Sequence, residues 1–321
     1  MLDLALANLL SPIVLSFVLG VGAALARSDL SVPEAVAKGI SIYLLFAIGF
    51  KGGASLTEHG IDLTLGLSLL AGVVLSFGLP LVGFSLLRVL SGISRTDAAA
   101  VAGHYGSISI VTFVAGTSVL ADAGISSEGY MVAIAAAMEA PAILSALWLI
   151  SRGSDVAEMS SDVWREILLN GSIVLLLGSF AIGMATGAEG LSRIESFIVS
   201  PFQGVLCLFL LDMGLIAGRG LRQADVLDRG AVAFGILMPL VGATAGLVAS
   251  MIVGLSIGGT TLLMTLAASA SYIAVPAAMR VAVPQANPSI YLTLSLAVTF
   301  PFTLVLGLPI YLTVAKSVIG S

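Results

Sequence analysis

The stretch His104-Tyr105-Gly106-Ser107-Ile108-Ser109-Ile110-Val111-Thr112-Phe113, written HYGSISIVTF, concentrates polar groups in an uncharged part of the chain. It lies within a mostly apolar run, residues 97–121, that is long enough to cross a membrane as a helix. A helix that breaks in hydrocarbon leaves backbone N–H and C=O groups without partners unless they line a cavity or bind an ion. The stretch therefore predicts a broken membrane helix with a polar site at the break.

The composition of the whole chain indicates an integral membrane protein. Of its 321 residues, 58% are hydrophobic and only 10% are charged, and the mean hydropathy is +1.12. This leaves too little polar surface to cover a soluble domain. The single cysteine, Cys207, excludes an internal disulfide.

Apolar runs of about 18 or more residues, each sufficient for one spanning helix, recur along the chain. They lie at residues 9–26, 33–56, 63–87, 97–121, 128–151, 167–188, 197–221, 230–256, 259–282 and 289–315. We therefore expect an all-α membrane protein with about ten transmembrane helices. Counts of nine or eleven are the alternatives, because the break between the eighth and ninth runs rests on Gly258-Gly259. The first run has no basic leader, which does not fit a cleaved signal peptide.

The lysine and arginine residues divide unequally between the two faces of such a bundle. If the spans alternate, one side receives Arg27, Lys38, Arg88, Arg95, Arg152, Arg165, Arg219, Arg222, Arg229 and Arg280, and the other receives Lys51, Arg193 and Lys316. The positive-inside rule then places both termini outside the cytoplasm, as an even helix count requires.

The chain also divides into two similar halves. We expect a first five-helix repeat at 1–151, a cytoplasmic linker at 152–165 and a second repeat at 166–321. Three matches support a duplication: residues 49–53 (GFKGG) with 214–218 (GLIAG), residues 104–113 approximately with 269–276, and Pro141 with Pro301. Because five is odd, the second copy must enter the membrane inverted, as in many secondary transporters.

The second of these polar stretches, residues 269–276, predicts a break at the corresponding place in the second half, so that helices 4 and 9 are both broken. Half-helix N-termini suit an anion, whereas exposed carbonyls and hydroxyls suit Na⁺. The candidate contacts are Tyr105, Gly106, Ser107, Ser109, Thr112, Ser269, Ser271 and Tyr272. For any single hydroxyl, the alternative is a hydrogen bond within its own helix or to a neighbouring helix.

A lone carboxylate strengthens the case for a cation site. Glu139 is the only charge between Glu128 and Arg152, and an acid at that depth costs roughly 2.5–3.5 kcal/mol unless it is paired, hydrated or protonated. We expect Glu139, with the hydroxyls of Ser109 and Thr112, to be candidate ligands for sodium.

Three further polar side chains are open to two interpretations each. Asp212 is a candidate cation or proton site, or else a member of a structural ion pair. Lys51 lies beside two glycines near a span end, where snorkelling to the interface is favoured over contact with an anion. His104 is expected to bond a carbonyl and do nothing else.

Enzymatic and nucleic-acid functions find little support. The chain lacks Gly-x-Ser-x-Gly, His-Glu-x-x-His and P-loop motifs, and has only two histidines. It also lacks the basic patch of a nucleic-acid-binding protein. We therefore expect no catalytic residues and no organic cofactor.

The chain resembles the sodium-dependent bicarbonate transporter family first known from cyanobacteria. The resemblance is clearest at residues 49–53, 97–112, 139–142 and 268–276, and in the run at 283–291 (VPQANPSIY). It implies two inverted five-helix halves in a core-and-gate arrangement and uptake of a small anion driven by Na⁺. The residues it implies for ion and substrate contact are Ser107, Ser109, Thr112, Ser269, Ser271 and, for the cation, Glu139.

Departures from the family pattern limit what the resemblance implies. Tyr272 stands where the cyanobacterial transporters have an aspartate, and Lys51 and Asp212 replace uncharged residues. The short linker argues against regulation by a PII-like signalling protein.

These observations predict sodium-coupled uptake of bicarbonate or a related small anion across the bacterial inner membrane. Proton-coupled transport of another organic anion is one alternative, and a membrane sensor that binds a ligand without moving it is another. The expected partners are the lipid bilayer and the anion, and a homo-oligomer is left open.

Overall fold

All regular structure in the described part of the chain is helical. A computed structural model describes residues 10–59, 63–151, 169, 171–222, 227–272, 275–276, 279, 283 and 285–320. Its helices are α1 (Pro12–Leu25), α2 (Glu34–His59), α3 (Leu63–Leu90), α4 (Arg95–His104), α5 (Ile110–Asp122), α6 (Met131–Ala137), α7 (Glu139–Ser151), α8 (Gly171–Ile198), α9 (Phe202–Arg222), α10 (Arg229–Val253), α11 (Ile257–Ala268), α12 (Pro288–Thr293), α13 (Phe300–Phe302) and α14 (Leu308–Ile319). Within these ranges the prediction of an all-α protein is confirmed.

Seven helical segments of the described residues are long and apolar enough to cross a membrane. They are Glu34–Thr57, Leu63–Leu90, Met131–Ile150, Val174–Ile198, Phe202–Arg222, Arg229–Val253 and Pro288–Ile319. Three shorter apolar helices, α1, α5 and α11, fall in the remaining predicted runs. The total of ten spans stays a prediction, and the predicted linker lies outside the described residues.

The last of these segments, Pro288–Ile319, is one continuous helical segment in which α-helical and π-helical turns alternate. We call it the C-terminal rod. Two π-helical segments, Leu294–Thr299 and Thr303–Gly307, flank the short helix α13. Such wider turns often lie at functional sites.

Side-chain and glycine caps fix where several helices begin and end. Ser11, Ser94, Ser109, Asp228, Ser256 and Asn287 each accept a backbone N–H from the first turn of α1, α4, α5, α10, α11 and α12. Gly254 closes α10 with a left-handed φ of 84°. The break before α11 is therefore at Gly254, and the expectation that it rests on Gly258-Gly259 is wrong, because those glycines lie in the first turn of α11 against Ser126 and Glu128.

Two helix pairs pack backbone against backbone through glycine. In each position a Cβ atom would collide with the backbone or with a short side chain of the partner helix, which is how small residues bring membrane helices close. The glycines are Gly20, Gly214 and Gly218 between α1 and α9, and Gly49, Gly53 and Gly183 between α2 and α8. Each pair joins a helix of the first half to a helix of the second. We call these four helices the paired group.

The helix α8 bends within this group. Gly187 has a φ of 60°, a conformation that glycine adopts without strain. Beyond the bend the chain returns to α2, where the Tyr43 hydroxyl donates to the Phe197 carbonyl at 2.6 Å. The predicted run 167–188 therefore ends at the bend, and α8 continues beyond the bend to Ile198.

The other helices form a second group, which carboxylates hold together at both ends. At one end Asp97 accepts the Asn287 N–H at 2.7 Å. At the other, Glu128 accepts both the N–H and the hydroxyl of Ser256, at 2.7 and 3.0 Å. Each contact joins the two halves of the chain. We call the end with the Asp97–Asn287 contact the linker end, because α7 ends and α8 begins there. We call the end with the Glu128–Ser256 contact the Glu128 end.

Candidate functional site

Two non-helical segments meet inside the second group. The first interruption, residues 105–109, separates α4 from α5, and the second interruption, residues 269–272, follows α11. Every residue of both segments is buried. They coincide with the two stretches expected to break, although residues 273–274 and 277–278 lie outside the described residues. That each interruption belongs to a single spanning helix stays a prediction.

The first interruption ends in a cap that gathers hydroxyl groups. Ser109 Oγ accepts the Thr112 N–H at 3.2 Å and the Thr112 hydroxyl at 2.8 Å. The Tyr272 hydroxyl of the second interruption is also buried and has no hydrogen-bond partner among the described residues. The Ser107 hydroxyl is 1% exposed and has no hydrogen-bond partner in the part of the chain that the structure describes. Hydroxyl oxygens and the free N–H groups of α5 therefore converge at one buried place.

Hydrogen bonds cross directly between the two interruptions. The Ser109 N–H donates to Ser269 Oγ at 2.9 Å, and the Ser271 N–H donates to the His104 carbonyl at 2.7 Å. His104 Nδ1 lies 2.5 Å from the Ser271 carbonyl, so this nitrogen must be the donor and Nε2 the acceptor. The expectation that His104 bonds a carbonyl is confirmed, and the bond fixes the second interruption against the first.

The C-terminal rod supports the first interruption from one side. The Tyr105 hydroxyl is hydrogen-bonded to Thr299 Oγ1, which itself donates to the Gly235 carbonyl at 2.7 Å. One face of the His104 ring stacks on Tyr291 with ring centroids 4.5 Å apart. Tyr291 and Thr299 of the rod therefore contact two consecutive residues, His104 at the end of α4 and Tyr105 at the start of the first interruption.

A cavity of about 720 Å³ opens between the paired group and the interruptions. Its wall includes Ile110 and Val111, in the first turn of α5, together with Tyr272. Asp212 of α9 faces the same space. Toward the linker end its lining includes Glu34 and Lys38 at the start of α2, Ala37, Ser41 and Gly171 at the start of α8. The cavity, which we call the main cavity, therefore reaches from the linker end to the second interruption.

Comparison with known families decides the identity of the chain. The model of the Na⁺-dependent bicarbonate transporter superfamily matches residues 12–316, nearly the whole length. The chain belongs to this superfamily. A comparison with curated proteins finds no match. The predicted resemblance is confirmed, and membership implies a multi-pass membrane transporter rather than an enzyme in the catalytic sense.

Glu139, the carboxylate that the sequence predicts as a cation ligand, is buried in the second group. Its side chain is 5% exposed, and among the described residues Oε2 has no hydrogen-bond partner. The preceding residue, Met138, accepts a hydrogen bond from the Ser76 hydroxyl through its carbonyl. The Ser76 carbonyl in turn lies against Gly106, where a Cβ would collide with it and with the ring of Pro80. The α3 helix therefore contacts both the residue before Glu139 and the first interruption.

The structure brings most of the predicted site residues together. The two interruptions contain Tyr105, Gly106, Ser107, Ser109, Ser269, Ser271 and Tyr272, and Thr112 follows in the first turn of α5. Asp212 lies on a different helix, α9, and is related to these residues only because it and Tyr272 both line the main cavity. Glu139 makes no hydrogen bond to Ser109 or Thr112, so the sodium set stays a prediction. Within the described residues no group of three or more acidic, histidine or cysteine side chains could hold a metal.

Sequence reasoning missed the residues of α3 that border the first interruption. Ser76 and Pro80 contact Gly106, yet neither was a candidate. A signal was present, because the tetrapeptide Pro-Leu-Val-Gly occurs at both 80–83 and 239–242. In the second copy Gly242 lies against the Ala267 carbonyl, just before the second interruption. The repeated tetrapeptide therefore marks the helices on which both interruptions rest.

Proposed function

We propose that the protein is a secondary transporter that takes up bicarbonate or a related small anion together with Na⁺. The observation that carries the proposal is the contact between two buried chain interruptions beside the main cavity, whose wall includes Tyr272 of the second interruption and the first turn of α5, in a member of the Na⁺-dependent bicarbonate transporter superfamily. Non-helical backbone at membrane depth is tolerated where it lines a cavity or binds an ion. Paired interruptions are the arrangement that transporters use for substrate and coupling ion.

The proposed architecture is two inverted five-helix repeats, 1–151 and 166–321, with interrupted helices 4 and 9. The glycine contacts support it, because the matched glycines 49 and 53 of α2 and 214 and 218 of α9 each pack on a helix of the other half. The end contacts support it too, because Asp97 and Glu128 each join one half to the other. An inverted repeat accounts for such equivalent contacts at opposite ends.

The anion is assigned to the N-terminal end of α5. Four N–H groups at a helix start have no partner within the helix, and the helix dipole favours negative charge there. Ser109 satisfies the Thr112 N–H, and Ile110 and Val111 line the cavity. Bicarbonate can accept from such N–H groups and donate its own hydroxyl to an oxygen such as that of Ser107, which has no partner.

Sodium is assigned to oxygens near the same interruption. The unpartnered Oε2 of Glu139 fits a cation ligand, since a buried carboxylate needs a positive or donating neighbour. The hydroxyl oxygens of Ser109 and Thr112 complete the proposed set. With the cation and the anion adjacent, each lowers the cost of burying the other, which couples their binding.

Uptake of radiolabelled bicarbonate into proteoliposomes tests the proposal. We expect saturable uptake that requires an inward Na⁺ gradient at fixed pH. Protein-free vesicles, and vesicles with equal Na⁺ on both sides, serve as controls. Absence of uptake from correctly inserted protein would overturn bicarbonate as substrate, and the same vesicles can then be assayed with other small anions.

A second candidate is proton-coupled transport of another organic anion. Asp212 favours it, because this carboxylate lines the main cavity and has no hydrogen bond within the described residues. A carboxylate on a transport path can carry the coupling proton. Uptake that follows an imposed pH gradient and ignores Na⁺ would favour this candidate over sodium coupling.

The membrane placement completes the proposal. We assign the protein to the bacterial inner membrane with the linker end in the cytoplasm and both termini on the opposite side, from the lysine and arginine distribution. The main cavity then opens toward the cytoplasm. Lipid is the surrounding solvent, and oligomeric state and regulation by a signalling protein are left to direct measurement.

A further inference from the structure

A second, smaller cavity lies between the two helix groups toward the Glu128 end. Its volume is about 170 Å³. Its polar lining consists of Lys51, Ser55, Thr117, Ser127 and Glu128. Since a water molecule occupies about 30 Å³ of liquid, the space suits a small oxyanion with a few waters. We call it the Lys51 cavity.

The ammonium group of Lys51 has no acidic partner in the described part of the chain. Its Nζ lies 4.3 Å from the centroid of the Phe202 ring, a cation–π contact that leaves hydrogen-bond donors available. The one ion pair among the described residues joins Arg193 to Glu189. The lysine therefore brings a positive charge into a partly buried space without neutralising it.

The two nearby carboxylates are engaged elsewhere. Glu128 Oε1 and Oε2 accept from the N–H and hydroxyl of Ser256, at the start of α11, where the helix dipole also favours negative charge. Asp122 accepts from the side-chain amide of Gln203 at 3.1 Å. Neither lies within ion-pair distance of Lys51. A diffusible anion is the partner that the lysine lacks.

The Lys51 cavity lies close to the main cavity along the same two helices. On α2, Leu45 lines the main cavity and Ile48 lines the Lys51 cavity. On α5, Val114 lines the main cavity and Thr117 lines the Lys51 cavity. Residues three apart on a helix are separated by about 4.5 Å along its axis. About one helical turn of apolar side chains thus separates the two spaces.

We propose that the Lys51 cavity is a second anion site, which receives a small oxyanion from the Glu128 end before it passes to the first interruption. The inference rests on the proposed transport function and adds to it a residue that sets anion affinity on the entry side. Lys51 acts by charge and hydrogen bonding, so arginine should replace it in part, whereas a neutral side chain of similar length should not.

The test compares Lys51→Met and Lys51→Arg with Arg193→Gln. Arg193 is exposed and lies beyond the Gly187 bend of α8, so its variant removes a positive charge without touching the cavity. Initial rates of radiolabelled bicarbonate uptake are measured over a range of external bicarbonate and, separately, of external Na⁺. For Lys51→Met we expect at least a fivefold rise in the half-saturating bicarbonate concentration, with the half-saturating Na⁺ concentration unchanged. Lys51→Arg should recover most of the difference.

A binding measurement separates failure of this inference from failure of the transport proposal. The thermal midpoint of purified protein in detergent is followed against sodium bicarbonate, with sodium chloride at equal ionic strength as the reference. Saturable stabilisation of wild type that Lys51→Met reduces and Arg193→Gln retains would support the site even if no bicarbonate uptake were found. Bicarbonate affinity in uptake and stabilisation in detergent that are both unchanged in Lys51→Met would overturn the site while leaving transport intact.

Discussion

The first and second interruptions lie against each other, but their side chains are engaged in different ways. In the first, Ser109 caps α5 and collects the Thr112 hydroxyl, while Ser107 keeps a free hydroxyl. In the second, Ser269 serves as an acceptor for the Ser109 N–H, and both backbone groups of Ser271 are held by His104. The second interruption therefore supports the first through Ser269 and Ser271, and among the described residues each interruption keeps one buried hydroxyl without a partner, Ser107 in the first and Tyr272 in the second.

The acidic groups show the same inequality. Glu139 follows Met138, whose carbonyl accepts a hydrogen bond from Ser76 of α3, the helix that contacts the first interruption. The corresponding residue of the second half, Thr299, is neutral and is occupied by Tyr105 and by the Gly235 carbonyl. A two-site arrangement with equal halves would need an acid on both sides. Under the proposed transport function, we therefore expect one principal ion site, on the side of Glu139.

The largest expected effect comes from filling the space at Gly106. In Gly106→Val the new side chain would collide with the Pro80 ring and the Ser76 carbonyl, forcing α3 away from the interruption. Overpacking of this kind costs typically about 1–3 kcal/mol, and more where backbone must move. We expect little folded protein on size exclusion and no uptake. The matched control is Gly22→Val, where the space around the glycine is open, and equal yields for the two variants would contradict the close contact.

Neutralising Glu139 tests whether the first interruption holds the cation. Glu139→Gln keeps the shape of the side chain and removes the charge, so the half-saturating Na⁺ concentration should rise roughly tenfold, about 1.4 kcal/mol of binding free energy. The thermal midpoint should change little, because the buried carboxylate has no partner for Oε2 to lose. Glu195→Gln, at an exposed position of α8, is the control. An unchanged Na⁺ dependence in Glu139→Gln would remove Glu139 from the ion site.

Two serines in the same structural role separate stability from ion binding. Ser109 caps α5 and Ser11 caps α1, which lies in the paired group. Replacing either with alanine should cost about 1 kcal/mol of stability, measured by the thermal midpoint. Ser109→Ala should also raise the half-saturating Na⁺ concentration a few-fold, roughly 1 kcal/mol for one lost oxygen ligand, whereas Ser11→Ala should not. If both variants change Na⁺ dependence equally, the cap acts only through stability.

The positions of most helices followed from the sequence because hydropathy is a local property. A run of apolar residues must be helical in a membrane, whatever packs against it. The two interruptions were predictable from local sequence as well. Several polar side chains together with glycine or proline in one apolar run are typical of a broken membrane helix that lines a cavity or binds an ion. Helix ends depended on finer detail, and the left-handed Gly254, not Gly258-Gly259, ends α10.

The contacts around the interruptions could not be read from local patterns. Ser76 and Pro80 reach Gly106 only because α3 packs against α4, and nothing in their own neighbourhood marks them as site residues. Asp212 faces Tyr272 across a cavity that forms between helices far apart in sequence. Comparison of the two halves was the one route to such contacts, because the repeated Pro-Leu-Val-Gly at 80–83 and 239–242 points to both supporting helices.

The smallest expected effect concerns Tyr272 in the second interruption, at a position where the resemblance to the cyanobacterial transporters implies an aspartate. Its hydroxyl has no hydrogen-bond partner among the described residues, and the residue lines the main cavity. Tyr272→Phe removes only the hydroxyl, so we expect a two- to threefold rise in the half-saturating anion concentration, roughly 0.5 kcal/mol for one neutral hydrogen bond, with Na⁺ dependence preserved. Tyr272→Asp places a charge beside the proposed anion site and should weaken anion affinity more than Tyr272→Phe does. If Tyr272→Asp instead strengthens both Na⁺ and anion affinity, the second interruption contributes a cation ligand in its own right, and the inequality between the two interruptions is a consequence of this one substitution.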